Sequence, residues 1–194
     1  MRLDLSTVVG REPSVIRDQP RDAAVLAPVI ERDGGHSLLF IKRSEDLGEH
    51  PGQMSFPGGG AEPEDADLQA TALREANEEI GLDPGEGRIV GRLDAIRTVT
   101  EYAVSPFVGM IPDRDYAPDG VEAIDIAILS IADLTDPENY EFETREHPTY
   151  GEVVVHYFHV DGYTVWGATG RILVDLLELT TDWRAPVRSR SDIG

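Results

Sequence analysis

The chain has 194 residues, 40% of them hydrophobic, which suits one domain with a core of its own. Thirty-seven acidic against seventeen basic side chains give a formal charge of -20, and every basic side chain except Lys42 is an arginine. Such a field opposes general binding to nucleic acid or an anionic membrane. No apolar run is long enough for a membrane span, and the lack of cysteine excludes disulfides, thiolate nucleophiles and zinc-thiolate sites. The first residues, MRLDLSTVVGREPS, carry no secretory pattern, so the expected location is the cytoplasm. Acid excess combined with regular periodicity reads as adaptation to high salt, where a Debye length of about 3 Å at 1 M screens self-repulsion. A halophilic source is the expectation.

In chain order, residues 1–22 read as a polar arm or short helix before the core. Ala23–Ile30 and Ser37–Lys42 are strand-like runs joined through Asp33-Gly34-Gly35, a hairpin turn. Met54-Ser55-Phe56 is a short strand stopped by Pro57-Gly58-Gly59-Gly60. Residues 66–81 form the clearest helix, ended by Gly81. Strands follow near 87–98, 103–111, 123–130 and 152–159, with a last helix over 168–180 and a flexible tail over 183–194. The irregular alternation predicts one α/β domain over 1–194, a mixed β-sheet sandwiched between α-helices rather than a doubly wound parallel sheet.

The 66–81 helix carries the chemistry. At about 100° per residue, Leu73, Ala76 and Ile80 make an apolar stripe, and Glu75, Glu78 and Glu79 fall together on the face opposite it. Like charges at this spacing repel, and a hard divalent cation would turn that repulsion into ligation through oxygen donors. In so acidic a chain, a glutamate run is ordinarily a solvated face. The preceding Phe56-Pro57-Gly58-Gly59-Gly60 argues for more, because glycines let backbone approach a ligand and free a carbonyl for a metal.

Together these residues resemble the Nudix box, G-x5-E-x7-R-E-U-x-E-E-x-G-U with U apolar, whose second half Arg74–Leu82 fills without mismatch. The first half departs from it. Ala66 stands where a glutamate is expected, flanked by Glu62, Glu64, Asp65 and Asp67. The box glycine is Gly60 by strict spacing, or Gly59 with a loop one residue longer. The resemblance implies a Nudix fold and a diphosphate hydrolase holding Mg²⁺ or Mn²⁺ on Glu75, Glu78, Glu79 and Gly59. It also implies catalysis by Glu75 and Glu79 and orientation of a glutamate by Arg74.

Upstream, Leu38-Leu39-Phe40-Ile41-Lys42-Arg43-Ser44, then Leu47, His50, Gly52 and Phe56-Pro57-Gly58-Gly59, resemble the coenzyme A diphosphatase subgroup, and the likeness runs over roughly residues 23–180. Gly48 and Phe40 replace that subgroup's usual arginine and threonine. The implied substrate is coenzyme A, cut to 3',5'-ADP and 4'-phosphopantetheine, with Arg43, His50, Gly58 and Gly59 binding it. ADP-ribose, nucleotide sugars and dinucleoside polyphosphates are rival substrates, and a non-catalytic nucleotide-binding module is the rival of another class. Trp166 reads as packing or helix entry, Arg171 as a partner for an acid, and Glu101, beside Tyr102, as a weak extra ligand or base. The oligomeric state stays open, a homodimer among the options.

Overall fold

The computed structural model describes residues 1–45, 52–147 and 151–186. The near-continuous apolar run of the first strand, β1 (Arg21–Arg32), is that of a strand covered on both faces. Ala23, Ala27 and Val29 enter one core, and Ala24, Leu26 and Ile30 the other. A two-residue turn, Asp33 (φ 53°) and Gly34 (φ 73°), returns the chain into β2 (Gly35–Arg43). In β2 the alternation repeats, with Leu38 and Phe40 on one side and Leu39 and Ile41 on the other.

β1 and β2 share an eight-stranded mixed sheet with β3 (Met54–Ser55), β4 (Gly58–Gly60), β5 (Arg88–Arg92), β6 (Ile96–Arg97), β7 (Tyr102–Met110) and β8 (Ala123–Ser130). β7 runs parallel to β1, while β2 and β4 pair antiparallel with successive halves of its other edge. The glycine run expected to stop a strand is therefore itself one. A side chain at Gly58 would collide with the backbone of Ala24 and Val25, so only glycine lets β4 close on β1.

Helix α1 (Leu68–Ile80) covers one face through Ala72, Ala76 and Ile80. Asp67 caps its start by accepting from the Ala70 N–H at 2.8 Å, and Gly81 (φ 65°) ends it. The other face is covered by α3 (Gly167–Thr180) and a second antiparallel sheet of β9 (Tyr140–His147), β10 (Gly151–Val160) and β11 (Tyr163–Val165), with the short helix α2 (Ile131–Leu134) after β8. The mixed sheet between helices is as expected; β9 and β11, which pair with β10 in the second sheet, are strands outside that expectation.

Both ends pack. Leu3 and Val8 of the arm are in the core. Trp183, assigned by sequence to a flexible tail, meets Tyr140 edge-on at 5.2 Å, and Ala185 is buried. The tail expectation is corrected for 183–186; residues 187–194 lie outside those described. No helix among the described residues is long and apolar enough to cross a membrane.

Candidate active site

The helix face carrying the glutamates differs from the expected one. The buried stripe centres on Ala72, Ala76 and Ile80 rather than on Leu73, which turns Glu75 and Glu79 onto the flank pressed against β4. Both are buried, Glu79 at 2% exposure, whereas the Glu78 side chain is 57% exposed. The three carboxylates thus divide into an inner pair and an outer member. Among the described residues, no three carboxylate or imidazole groups already converge at ligating distance.

Glu79 is held by one oxygen. Its Oε2 accepts the Gly58 N–H at 2.8 Å, and its Oε1 is buried without a partner among the described residues. Burial pushes its carboxyl up to about 8; Glu75 and Glu122 add to the rise, while the Gly58 N–H and Arg43 oppose it. Glu75 is raised as well, again by burial first, against the pull of Arg74. Its carboxylate lies so close to Gly59 that any side chain there would strike it.

Arg74 organises the flank. Its Nη1 donates to Glu75 Oε1 at 2.9 Å and to Glu78 Oε2 at 3.2 Å, and its Nη2 donates to the Gly60 carbonyl at 3.0 Å. The remaining contact shows which of the acids flanking Ala66 Arg74 engages most closely. Asp65 takes Arg74 as a two-pronged pair, Nε to Oδ1 at 3.0 Å and Nη2 to Oδ2 at 3.2 Å. That guanidinium, helped by the Glu62 N–H and the Thr71 hydroxyl, holds the Asp65 carboxyl far below its usual range. Asp67 is consumed as the helix cap.

Arg43 ends β2, its Nε buried and unpartnered among the described residues, and its charge acts on Glu79. Gly58 and Gly59 line the glutamates from β4. His50, with Leu47 and Gly48, lies outside the described residues. Glu101 is exposed in a turn at φ 64°. The neighbouring Tyr102 ring lies beside Gly60 and under Arg21, 4.1 Å from the guanidinium carbon. Trp166 precedes α3 and stacks on Tyr157 at 5.8 Å, and Arg171 pairs with Asp175 on α3, the helix across the sheet from α1. The sequence reading missed Glu122, whose charge acts on both buried glutamates.

A divalent cation fits these residues. The donors are all oxygen, and Glu79 Oε1 is a sealed, unpartnered carboxylate oxygen, the kind of atom that a hard cation satisfies.

Comparison with known proteins identifies the family. The NUDIX domain family matches residues 20–145. The uncharacterised Nudix hydrolase NudL of Enterobacter sp. (strain 638) is 34% identical over 172 residues, spanning 84% of this chain and 86% of its own. Nudix hydrolase 15, mitochondrial, of Arabidopsis thaliana is 37% identical over 175 residues, spanning 84% of this chain and 60% of the plant protein. The crystal structure of a MutT/nudix family protein from Enterococcus faecalis superposes with a TM-score of 0.55 over 86% of this chain and 64% of that one; at 12% identity it speaks for the fold alone. The chain belongs to the Nudix hydrolases, enzymes that act on pyrophosphate bonds and generally use divalent metal ions.

Proposed function

We propose that the chain is a Mg²⁺- or Mn²⁺-dependent diphosphatase of coenzyme A or its derivatives, releasing 3',5'-ADP and 4'-phosphopantetheine. The observation that carries the hydrolytic reading is Glu79, buried on α1 with Oε2 fixed by Gly58 and Oε1 left open. The segment Leu38–Gly59 nominates coenzyme A. Within it Phe40 and Phe56 stack at 4.7 Å inside the core, so its substrate-facing content falls to polar members such as Arg43.

Glu75, Glu78, Glu79 and the Gly59 carbonyl would hold the cation, which when bound neutralises the diphosphate and acidifies a water. Gly58 fixes Glu79 by its N–H, and that single bond decides which oxygen faces the site. Arg74, itself clamped by Asp65 and the Gly60 carbonyl, holds Glu75 and Glu78 in register. Glu79 can carry a proton at neutral pH while the site is metal-free and, once ionised, can offer Oε1 to the cation. Arg43 supplies a local positive charge for a phosphate in a chain whose mean field repels it. The continuous core from Leu3 to Ala185 supports reading the chain as one domain.

The test is to incubate the protein with Mg²⁺ or Mn²⁺ in molar KCl and compare coenzyme A, ADP-ribose, NADH and nucleoside triphosphates by product chromatography. Coenzyme A is expected to be cut fastest, into the two named products. Preferential ADP-ribose cleavage would remove coenzyme A from first place, and no cleavage of any would transfer the reading to a nucleotide-binding module.

A further inference from the structure

Arginine side chains in so acidic a chain ordinarily end on a carboxylate. Arg2, Arg11, Arg32, Arg97 and Arg114 each do so. Arg21, at the start of β1, is different: among the described residues it is held by neutral groups alone. Its guanidinium lies 4.1 Å over the Tyr102 ring, with Nη1 donating to the Tyr102 hydroxyl at 3.2 Å and Nη2 to the Thr100 carbonyl. The guanidinium is thus fixed in place with its charge uncompensated and its other N–H groups left for a ligand. Arg97, on the neighbouring strand β6, has both oxygens of Asp18.

The pair stands across β4 from the glutamates. A side chain at Gly59 would strike the Glu75 carboxylate, whereas one at Gly60 would come within 3.8 Å of the Tyr102 ring. Successive residues of a strand face opposite sides, so the carboxylates and the Arg21–Tyr102 pair flank the glycine strand from its two faces. Along one edge β4 is bonded to β1, and along the other it meets no strand among the described residues. Its glycines put no side chain in the way, so a ligand lying across that open edge can touch both faces. The reach is short. Ala23 lies opposite Gly60, and Arg21 is two residues further on, about 7 Å along β1. A ribose with a group on each side spans a gap of that order.

We propose, building on the reading that the carboxylate site cleaves a nucleoside diphosphate derivative, that Arg21 is a specificity-determining residue: seated on Tyr102, it binds a phosphomonoester carried by the ribose next to the scissile diphosphate. The substrate class is then the ribose-phosphorylated compounds, coenzyme A among them, in preference to their dephosphorylated counterparts. A chain of charge -20 repels a phosphomonoester except where a cation stands uncompensated. The guanidinium fork matches two phosphate oxygens at once, and the ring beneath it fixes the plane of that fork.

The test compares coenzyme A with dephospho-coenzyme A, which lacks only the ribose phosphate, as substrates of the full chain with Mg²⁺ or Mn²⁺, reading kcat and KM separately. The wild type is expected to favour coenzyme A. Arg21→Gln should raise the KM for coenzyme A roughly tenfold or more, the scale of a lost charge-assisted hydrogen bond, with a far smaller effect on dephospho-coenzyme A, so that the preference collapses. Arg21→Lys, which keeps the charge without the fork, should recover part of it. Calorimetric binding of 3',5'-ADP against 5'-AMP makes the same comparison without turnover, and an Arg21-dependent preference for 3',5'-ADP is expected. A preference unchanged in Arg21→Gln, a loss shared equally by both substrates, or no preference in the wild type would overturn the Arg21 assignment alone. A wild type that cleaves neither substrate yet binds 3',5'-ADP more tightly through Arg21 would overturn the diphosphatase reading alone, and the absence of both cleavage and Arg21-dependent binding would overturn the two together.

Discussion

Glu79→Gln separates the stability of the fold from its chemistry. The exchange keeps the shape of the side chain and an oxygen to accept the Gly58 N–H, but removes the ionisable group. The Glu79 carboxyl titrates at about 8 when folded, against an ordinary value of 4.5, so the folded chain holds a proton that the unfolded chain releases between those values. Metal-free stability must therefore fall as pH rises through that window and level off above it; below 4.5 both states are protonated and nothing is lost. At about 1.4 kcal/mol per pH unit, the whole shift has a ceiling of roughly 5 kcal/mol. Half of that ceiling would separate the two melting temperatures by about 5–10 °C in a domain of this size.

The glutamine adds a buried amide donor with no evident acceptor, a penalty on the order of 1–3 kcal/mol that does not vary with pH. The informative quantity is the difference between variant and wild-type melting temperatures in EDTA, followed from pH 4.5 to 9. It should drift in favour of the variant across the window, while turnover with Mg²⁺ or Mn²⁺ falls by about a hundredfold or more. Added metal should raise the melting temperature of the wild type more than that of the variant, because it binds the ionised carboxylate. A difference that stays flat with pH would refute the assignment of a buried, proton-holding Glu79.

Asp65→Asn should release Arg74 from its two-pronged anchor, lowering the melting temperature and cutting turnover more than substrate affinity, read from kcat and KM separately. Asp67→Asn should be nearly neutral in both, because asparagine caps a helix as well as aspartate. Gly59→Ala places a methyl group against the Glu75 carboxylate and should abolish most activity while circular dichroism remains native. Raising KCl to molar concentration should increase the melting temperature, as screening relieves a net charge of -20; a steady fall with KCl would remove the halophilic reading.

Much of the fold was legible because local chemistry and global packing agree. Asp33-Gly34 demands left-handed backbone at both positions, and the hairpin has it. β1 and β2 are apolar on both faces and lie inside the sheet. What escaped was structure with no local signature. β9, Tyr-Glu-Phe-Glu-Thr-Arg-Glu-His, has a largely exposed, charged surface, and its extended form is fixed by eight paired positions on β10. β4 is three glycines, poor strand formers by propensity; a Cβ at Gly58 would collide with β1 and one at Gly59 with the Glu75 carboxylate.

The site shows the same division at finer grain. Spacing along a helix gives angles between side chains but no absolute zero, and the zero was placed on Leu73. Moving it to Ala76 leaves Glu75 and Glu79 about 40° apart, as before, yet converts them from a solvated face into a buried flank. Burial then changes their chemistry, since a carboxylate in water needs no partner and a sealed one does. Ala66 is the converse case. Counting residues makes it a missing glutamate, but a loop is a path in space, and this one brings Asp65 to Arg74 while position 67 supplies the cap. Glu122 lay beyond such arithmetic. No spacing rule connects it to α1, and only the pairing of β2 with β8, together with the bond from the Asp119 N–H to the Glu79 carbonyl, brings its turn to the glutamates. Spacing within an element therefore reveals which residues share a face. Which face is buried, and which distant charge reaches it, depends on the strands that carry the loops.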